Sequence, residues 1–121
     1  SALAITSAYA HASGKTGISS EEIATLAHSG DVIAEKIWND AMASIATACQ
    51  MLVTVLAPEV IIFGGGLSQS GNLLINPITK ALAGSLTFQR VPRLVIAHYG
   101  AQAGTIGCAM MALDLLPGGG N

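Results

Sequence analysis

The chain has 121 residues, long enough for one domain with a real core and too short for two ordinary ones. Hydrophobic residues make up 51% and charged residues only 10%, so few solubilising side chains are available, and part of the apolar surface is expected to meet another chain or further sequence. A net charge of −2, with five basic residues scattered from Lys15 to Arg93, gives no electrostatic footprint for nucleic acid, and direct contact with DNA or RNA by this segment is excluded.

Residues 2–12 are rich in Ala, with Leu3, Ile5 and Tyr9 among them, and predict a first helix that Gly14 stops. In "ISSEEIATLAHSGD", Ser19 is a candidate N-cap with Glu22 three residues on. This is a capping box ahead of Ile23, Leu26 and Ala27 on one face, and it predicts a second helix of about two turns ending at Gly30.

From Asp31 the apolar positions Ile33, Ile37, Ala41, Ile45, Cys49, Leu52 and Leu56 recur at intervals of three or four, while Glu35, Lys36, Asn39 and Asp40 are confined to the first half. The pattern predicts a long helix, roughly 39 Å if unbroken, that starts amphipathic and ends buried; Pro58 closes it. Its uncharged stretch, 41–57, reaches only the bottom of the membrane-spanning range and carries Ser44, Thr47, Gln50 and Thr54, so a buried helix and no membrane contact are expected.

Residues 59–63 form a short, almost wholly apolar run, the composition of a strand covered on both faces in a parallel sheet. After Gly64, Gly65 and Gly66, helical spacing returns over 73–86, with Pro77 as an early helical residue or a kink. Residues 93–97 are a second strand, 104–116 a final helix, and 117–121 a disordered tail. The fold class is therefore α/β, helix-rich with a short parallel βαβ unit that is right-handed by rule. Two strands leave two open edges, and the chain reads as a piece of a larger domain.

Cys49 and Cys108 sit among Ala, Met and Thr in helical patterns and read as buried free thiols; with no secretory leader, a cytoplasmic location is expected. His11, His28 and His98 lie far apart without metal-ligand spacing. Gly14-Lys15-Thr16 resembles the close of a phosphate loop, but Tyr9 stands where that motif needs glycine. The acidic side chains Glu21, Glu22, Asp31, Glu35 and Asp114 read as helix-surface or capping residues, and no complete catalytic centre is visible.

A strand delivering the chain into three glycines puts bare backbone at the carboxyl edge of a parallel sheet, where α/β proteins bind ligands. A tight turn needing positive φ accounts for the glycines equally well. The dinucleotide fingerprint fails, because its third glycine falls at Gln69 and no acidic residue follows until Asp114.

"LAPEVIIFGGGLSQSGNLLINPITKAL", followed by "VPRLVIAHYGAQAGTIGCAMMAL", resembles the carboxy-terminal segment of the ROK family of bacterial sugar kinases and sugar-responsive repressors. The sharpest elements are Pro58-Glu59, the glycine triplet, and Ala103-Gly104 with Gly107 and Ala109. The resemblance implies part of an actin- and hexokinase-like (ribonuclease H-like) fold, with residues 1–116 as the carboxy-terminal part of the kinase domain. It implies that Gly64, Gly65 and Gly66, and more weakly Leu67 and Ser68, lie beside the adenosine of ATP. The family's phosphate loop, catalytic aspartate and cysteine-rich zinc motif, and the magnesium that accompanies ATP, would belong to sequence before Ser1, so this chain alone would be inactive. Position 101, often acidic in the family, is Ala.

Three functions follow as expectations: part of an ATP-dependent sugar kinase of glucokinase type, the effector-binding and dimerisation part of a repressor, or a helical packing and dimerisation module. The kinase is preferred because the triplet is unspoiled. Low charge and a long apolar helix also predict a homo-oligomer. Light scattering at high concentration should therefore show a species heavier than the 12.2 kDa chain, and a clean monomer would contradict the expectation.

Overall fold

The computed structural model describes residues 1–97. The expected helix 104–116 and tail 117–121 lie outside them, as do His98, Ala101, Gly104, Gly107, Cys108 and Asp114. In chain order the elements are α1 (Ala2–Ser13), α2 (Ser20–His28), α3 (Val32–Leu56), β1 (Val60–Phe63), a 3-10 turn (Gly66–Ser70), α4 (Asn72–Ser85) and β2 (Arg93–Ile96). β1 and β2 pair in parallel from Val60 opposite Arg93 to Phe63 opposite Ile96, with α4 as the crossover.

Local chemistry sets the helix ends. Gly14 adopts the left-handed conformation and donates its N–H to the Ala10 carbonyl, closing α1. The Ser19 hydroxyl accepts from the Glu22 amide at 3.1 Å and donates to Glu22 Oε1 at 3.2 Å, so the capping-box pair closes through its two side chains. Asp31 caps α3: Oδ1 accepts from the Ala34 amide at 2.9 Å, while Oδ2 accepts from the Tyr9 hydroxyl at 3.3 Å. That second bond gives Asp31 a partner the sequence did not show, and ties the start of α3 to a buried tyrosine of α1. Lys36 and Asp40 form an exposed i,i+4 pair at 3.2 Å that contributes little.

α3 is the axis of the core and packs against α1, α2 and α4. Its buried stripe is Ala34, Trp38, Met42, Ala46, Cys49 and Val53. The stripe read from spacing lies one residue earlier along most of the helix, and only Cys49 belongs to both. Ile37, Ala41 and Ile45 flank the core half-buried, and Ile33 is exposed. The physical reason is that both stripes are apolar, so spacing alone leaves the phase undetermined; the volume of Trp38 and three surrounding helices decide it. Nor does α3 end buried all round: Val53 is buried, but Met51 is 65% and Val55 79% exposed.

α3 spans 25 residues and closes on Ala57, a non-glycine residue with φ 46°, followed by Pro58. Among the described residues no helix is long and apolar enough to cross a membrane. α4 begins one residue earlier than the spacing indicated and anchors itself by Leu74, Ile78 and Leu82, all fully buried.

Cys49 is a buried free thiol, and its burial raises its pKa by disfavouring the thiolate. The reactive species is thus suppressed as well as shielded. Iodoacetamide at mildly alkaline pH should leave Cys49 unmodified in the folded chain and alkylate it in denaturant, as peptide mapping would show; equal labelling in both states would contradict its placement.

Candidate functional site

The parallel ladder continues one bond beyond β1, as the Ala97 amide donates to the Phe63 carbonyl at 2.8 Å. The chain then leaves the carboxyl end of the strand through the three glycines. Gly65 has φ 77° and ψ −163°, a region open in practice to glycine alone. A Cβ built there would meet nothing within 4 Å among the described residues, so its missing side chain faces space that none of them fills. Gly66 differs: a Cβ there would lie 3.1 Å from Ala2 Cβ, so the bend packs closely on the first turn of α1. The two accounts of the glycines thus divide between neighbours, with Gly65 conformationally required and uncovered by the described residues, and Gly66 closely packed on Ala2.

The next expected residues turn inward. Leu67 packs against the core. Ser68 is buried, and its hydroxyl donates to the Gly65 carbonyl at 2.6 Å, while the Ser68 amide donates to the same oxygen at 3.2 Å. These bonds clamp the glycine bend from within. Ser70 is also buried, with no hydrogen-bond partner for its hydroxyl among the described residues. Of the five expected site positions, the structure therefore leaves Gly65 uncovered by the described residues and places a side-chain lock at Ser68.

The 3-10 turn packs against α2 and runs directly into α4. Its five residues span about 10 Å at a rise near ~2 Å each. Beyond its far end lies a cleft of about 460 Å³ between α2, α3 and the start of α4, within the size range of small-molecule sites. His28, Glu35, Asn39, Asn72 and Asn76 supply its polar groups, while Trp38, Leu73 and Pro77 supply apolar wall. The sequence reading missed this set. Its signal was present in the i,i+4 pairs Glu35/Asn39 and Asn72/Asn76, each placing two polar side chains on one helix face.

Trp38 is 5% exposed, and its indole N–H donates to the Leu73 carbonyl at 3.2 Å. Leu73 is the residue whose carbonyl would accept from position 77 in an uninterrupted helix, and position 77 is proline. The bond thus crosses the cleft wall from α3 to α4. Among the described residues no three His, Cys, Asp or Glu side chains come together in a grouping able to hold a metal ion.

These features make a helix-rich α/β chain with an amide-lined cleft and with a glycine bend at the carboxyl end of a parallel strand, the edge at which α/β proteins commonly bind ligands. The family follows from comparison. The ROK family model matches residues 1–115, and the chain belongs to the ROK family. It is 35% identical over 86 residues to the bifunctional enzyme NanE/NanK of Brucella melitensis, covering 71% of this chain and 16% of that protein. It is 28% identical over 101 residues to a glucokinase of Streptomyces coelicolor, covering 81% of this chain and 32% of that protein. The chain therefore spans a third or less of the length of these relatives.

Gly65→Ala should destabilise the chain by about 1–3 kcal/mol through backbone strain, since among the described residues the site has room for the methyl group. Gly66→Ala should act through contact with Ala2 instead, and its effect should shrink when Ala2→Gly is added. Urea unfolding of both variants checks this; a neutral Gly65→Ala would show that the bend does not hold its positive φ.

Proposed function

We propose that this chain forms the nucleoside-facing part of an ATP-dependent sugar kinase. The single observation that carries the reading is Gly65, a glycine-only conformation whose bare side meets none of the described residues at the carboxyl end of β1. Membership of the ROK family and the relative named glucokinase support a kinase.

In this reading the ribose lies along Gly64, Gly65 and Gly66, where close approach to the main chain is possible, and Leu67 and Ser68 support the bend from beneath. The base points along the 3-10 turn towards the cleft. There the amides of Asn39, Asn72 and Asn76 both donate and accept, which suits adenine, with an exocyclic donor beside ring acceptors. Trp38, Leu73 and Pro77 give the apolar wall a flat ring needs.

ATP, when bound, supplies the phosphoryl group, and these residues hold and orient its nucleoside end. They provide no catalytic side chain. The aspartate that deprotonates the sugar hydroxyl, the phosphate loop, the magnesium ligands and the family's zinc motif belong, in this reading, to sequence outside the described residues. Phosphoryl transfer then depends on that part of the protein, which also grips the sugar.

The test is calorimetric titration of the 121-residue chain with a non-hydrolysable ATP analogue. Saturable binding is expected, with adenosine competing and inorganic phosphate failing to compete. Gly65→Val should weaken binding more than about tenfold, because a β-branched side chain blocks close approach. Asn76→Leu should weaken it without the backbone strain. Equal affinity of wild type and Gly65→Val would remove the nucleotide assignment.

A further inference from the structure

We infer that Trp38 is a positioning residue for the glycine bend: its indole N–H substitutes for the amide that Pro77 lacks and so holds in place the first turn of α4 and the 3-10 turn joined to it.

Two deficits meet in this bond. Pro77 lies inside α4 as its sixth residue and has no N–H, so the carbonyl four residues earlier, that of Leu73, loses its helical donor. Trp38 is buried on α3, and an indole N–H can only donate, so it must find an acceptor or forfeit a hydrogen bond. The 3.2 Å bond from Trp38 Nε1 to Leu73 O satisfies both, across 35 residues of sequence.

Besides this bond, backbone ties hold the start of α4: the Gly71 amide donates to the Ser68 carbonyl at 3.2 Å, and the Leu74 and Ile75 amides donate to the Gly71 carbonyl at 3.0 and 3.1 Å. The N-cap of α4 is Gly71, with φ 55° and no side-chain capping bond. The next inward anchor is Leu74. Immediately before Gly71 comes the turn Gly66–Ser70, whose opening residues carry the bend at Gly65. Displacement of Leu73 is therefore passed to the bend through a short, covalently continuous segment. The cleft wall moves with it, since Trp38, Leu73 and Pro77 all line the cleft.

Hydrogen exchange on the 121-residue chain tests the role. Trp38→Phe keeps an aromatic ring and removes the donor. It should speed exchange of amides over residues 66–76 about fivefold, as expected for one lost hydrogen bond, while α1 exchanges as before. Adding Pro77→Ala restores an N–H for the Leu73 carbonyl and should return exchange to the wild-type rate. This rescue separates positioning from loss of core volume, which Pro77→Ala cannot repair. Unchanged exchange in Trp38→Phe, or failure of the rescue, would overturn the inference. Should Trp38→Phe not fold, the wild-type indole N–H decides: protection comparable to core amides supports the bond, and rapid exchange removes it.

One consequence rests on the nucleotide reading. Trp38→Phe should weaken binding of the ATP analogue about fivefold, and Trp38→Phe/Pro77→Ala should restore it. A wild-type chain that binds no analogue would sink the nucleotide reading and leave the exchange result to decide the positioning role.

Discussion

A proline inside a helix leaves a carbonyl without its donor, and a buried indole needs an acceptor. In this chain each supplies what the other lacks, through Trp38 and Leu73. Much of the architecture is arranged around that junction. α3 carries the tryptophan through the middle of the core, and α4 carries the freed carbonyl and lies between the two parallel strands in sequence. Where α4 begins fixes where the 3-10 turn ends, and hence how the chain leaves β1 through its glycines. Substituting the indole disturbs packing and hydrogen bonding together, whereas substituting the proline relieves the second problem without touching the first.

The glycine bend shows that one run of identical residues can answer to different demands. Gly65 is fixed by backbone angles that other residues do not tolerate, and none of the described residues covers its bare side. Gly66 packs closely on Ala2, which brings the start of α1 against the bend. Ser68 fastens the loop from inside by returning its hydroxyl to the Gly65 carbonyl. A bend held this firmly keeps its shape before any ligand arrives, and a ligand then spends little free energy ordering it.

Sequence made legible those features whose cause is local. Ser19 with Glu22, Gly14 after an alanine-rich run, and the two short apolar strands each carry their reason within a few residues, and each element stands within about two residues of its expected place. The family, too, was legible from the glycine triplet and its flanks. The phase of α3 was not, because Ile33, Ile37, Ala41 and Ile45 compete with Ala34, Trp38, Met42 and Ala46 as equally apolar rows. Only the neighbouring helices choose between them. The 3-10 turn was hidden because Ser, Gln and Ser after glycine suit many loops. The amide-lined cleft was hidden because its walls come from three helices that the chain brings together only on folding. Tyr9 and Asp31, 22 residues apart, found each other for the same reason.

The parallel pairing of β1 with β2 has a kinetic consequence. Val60 meets Arg93, 33 residues further on, so the ladder can form only after the entire α4 segment has been looped back. The α1–α2 and α2–α3 contacts join neighbours in the chain and carry a smaller loop-closure cost, whereas α1 meets α3 across a comparable span, Ala4 and Ile5 lining one pocket with Ala41 and Ile45. The neighbouring pairs α1–α2 and α2–α3 are thus set to form early, and the strand ladder that carries the glycine bend forms later.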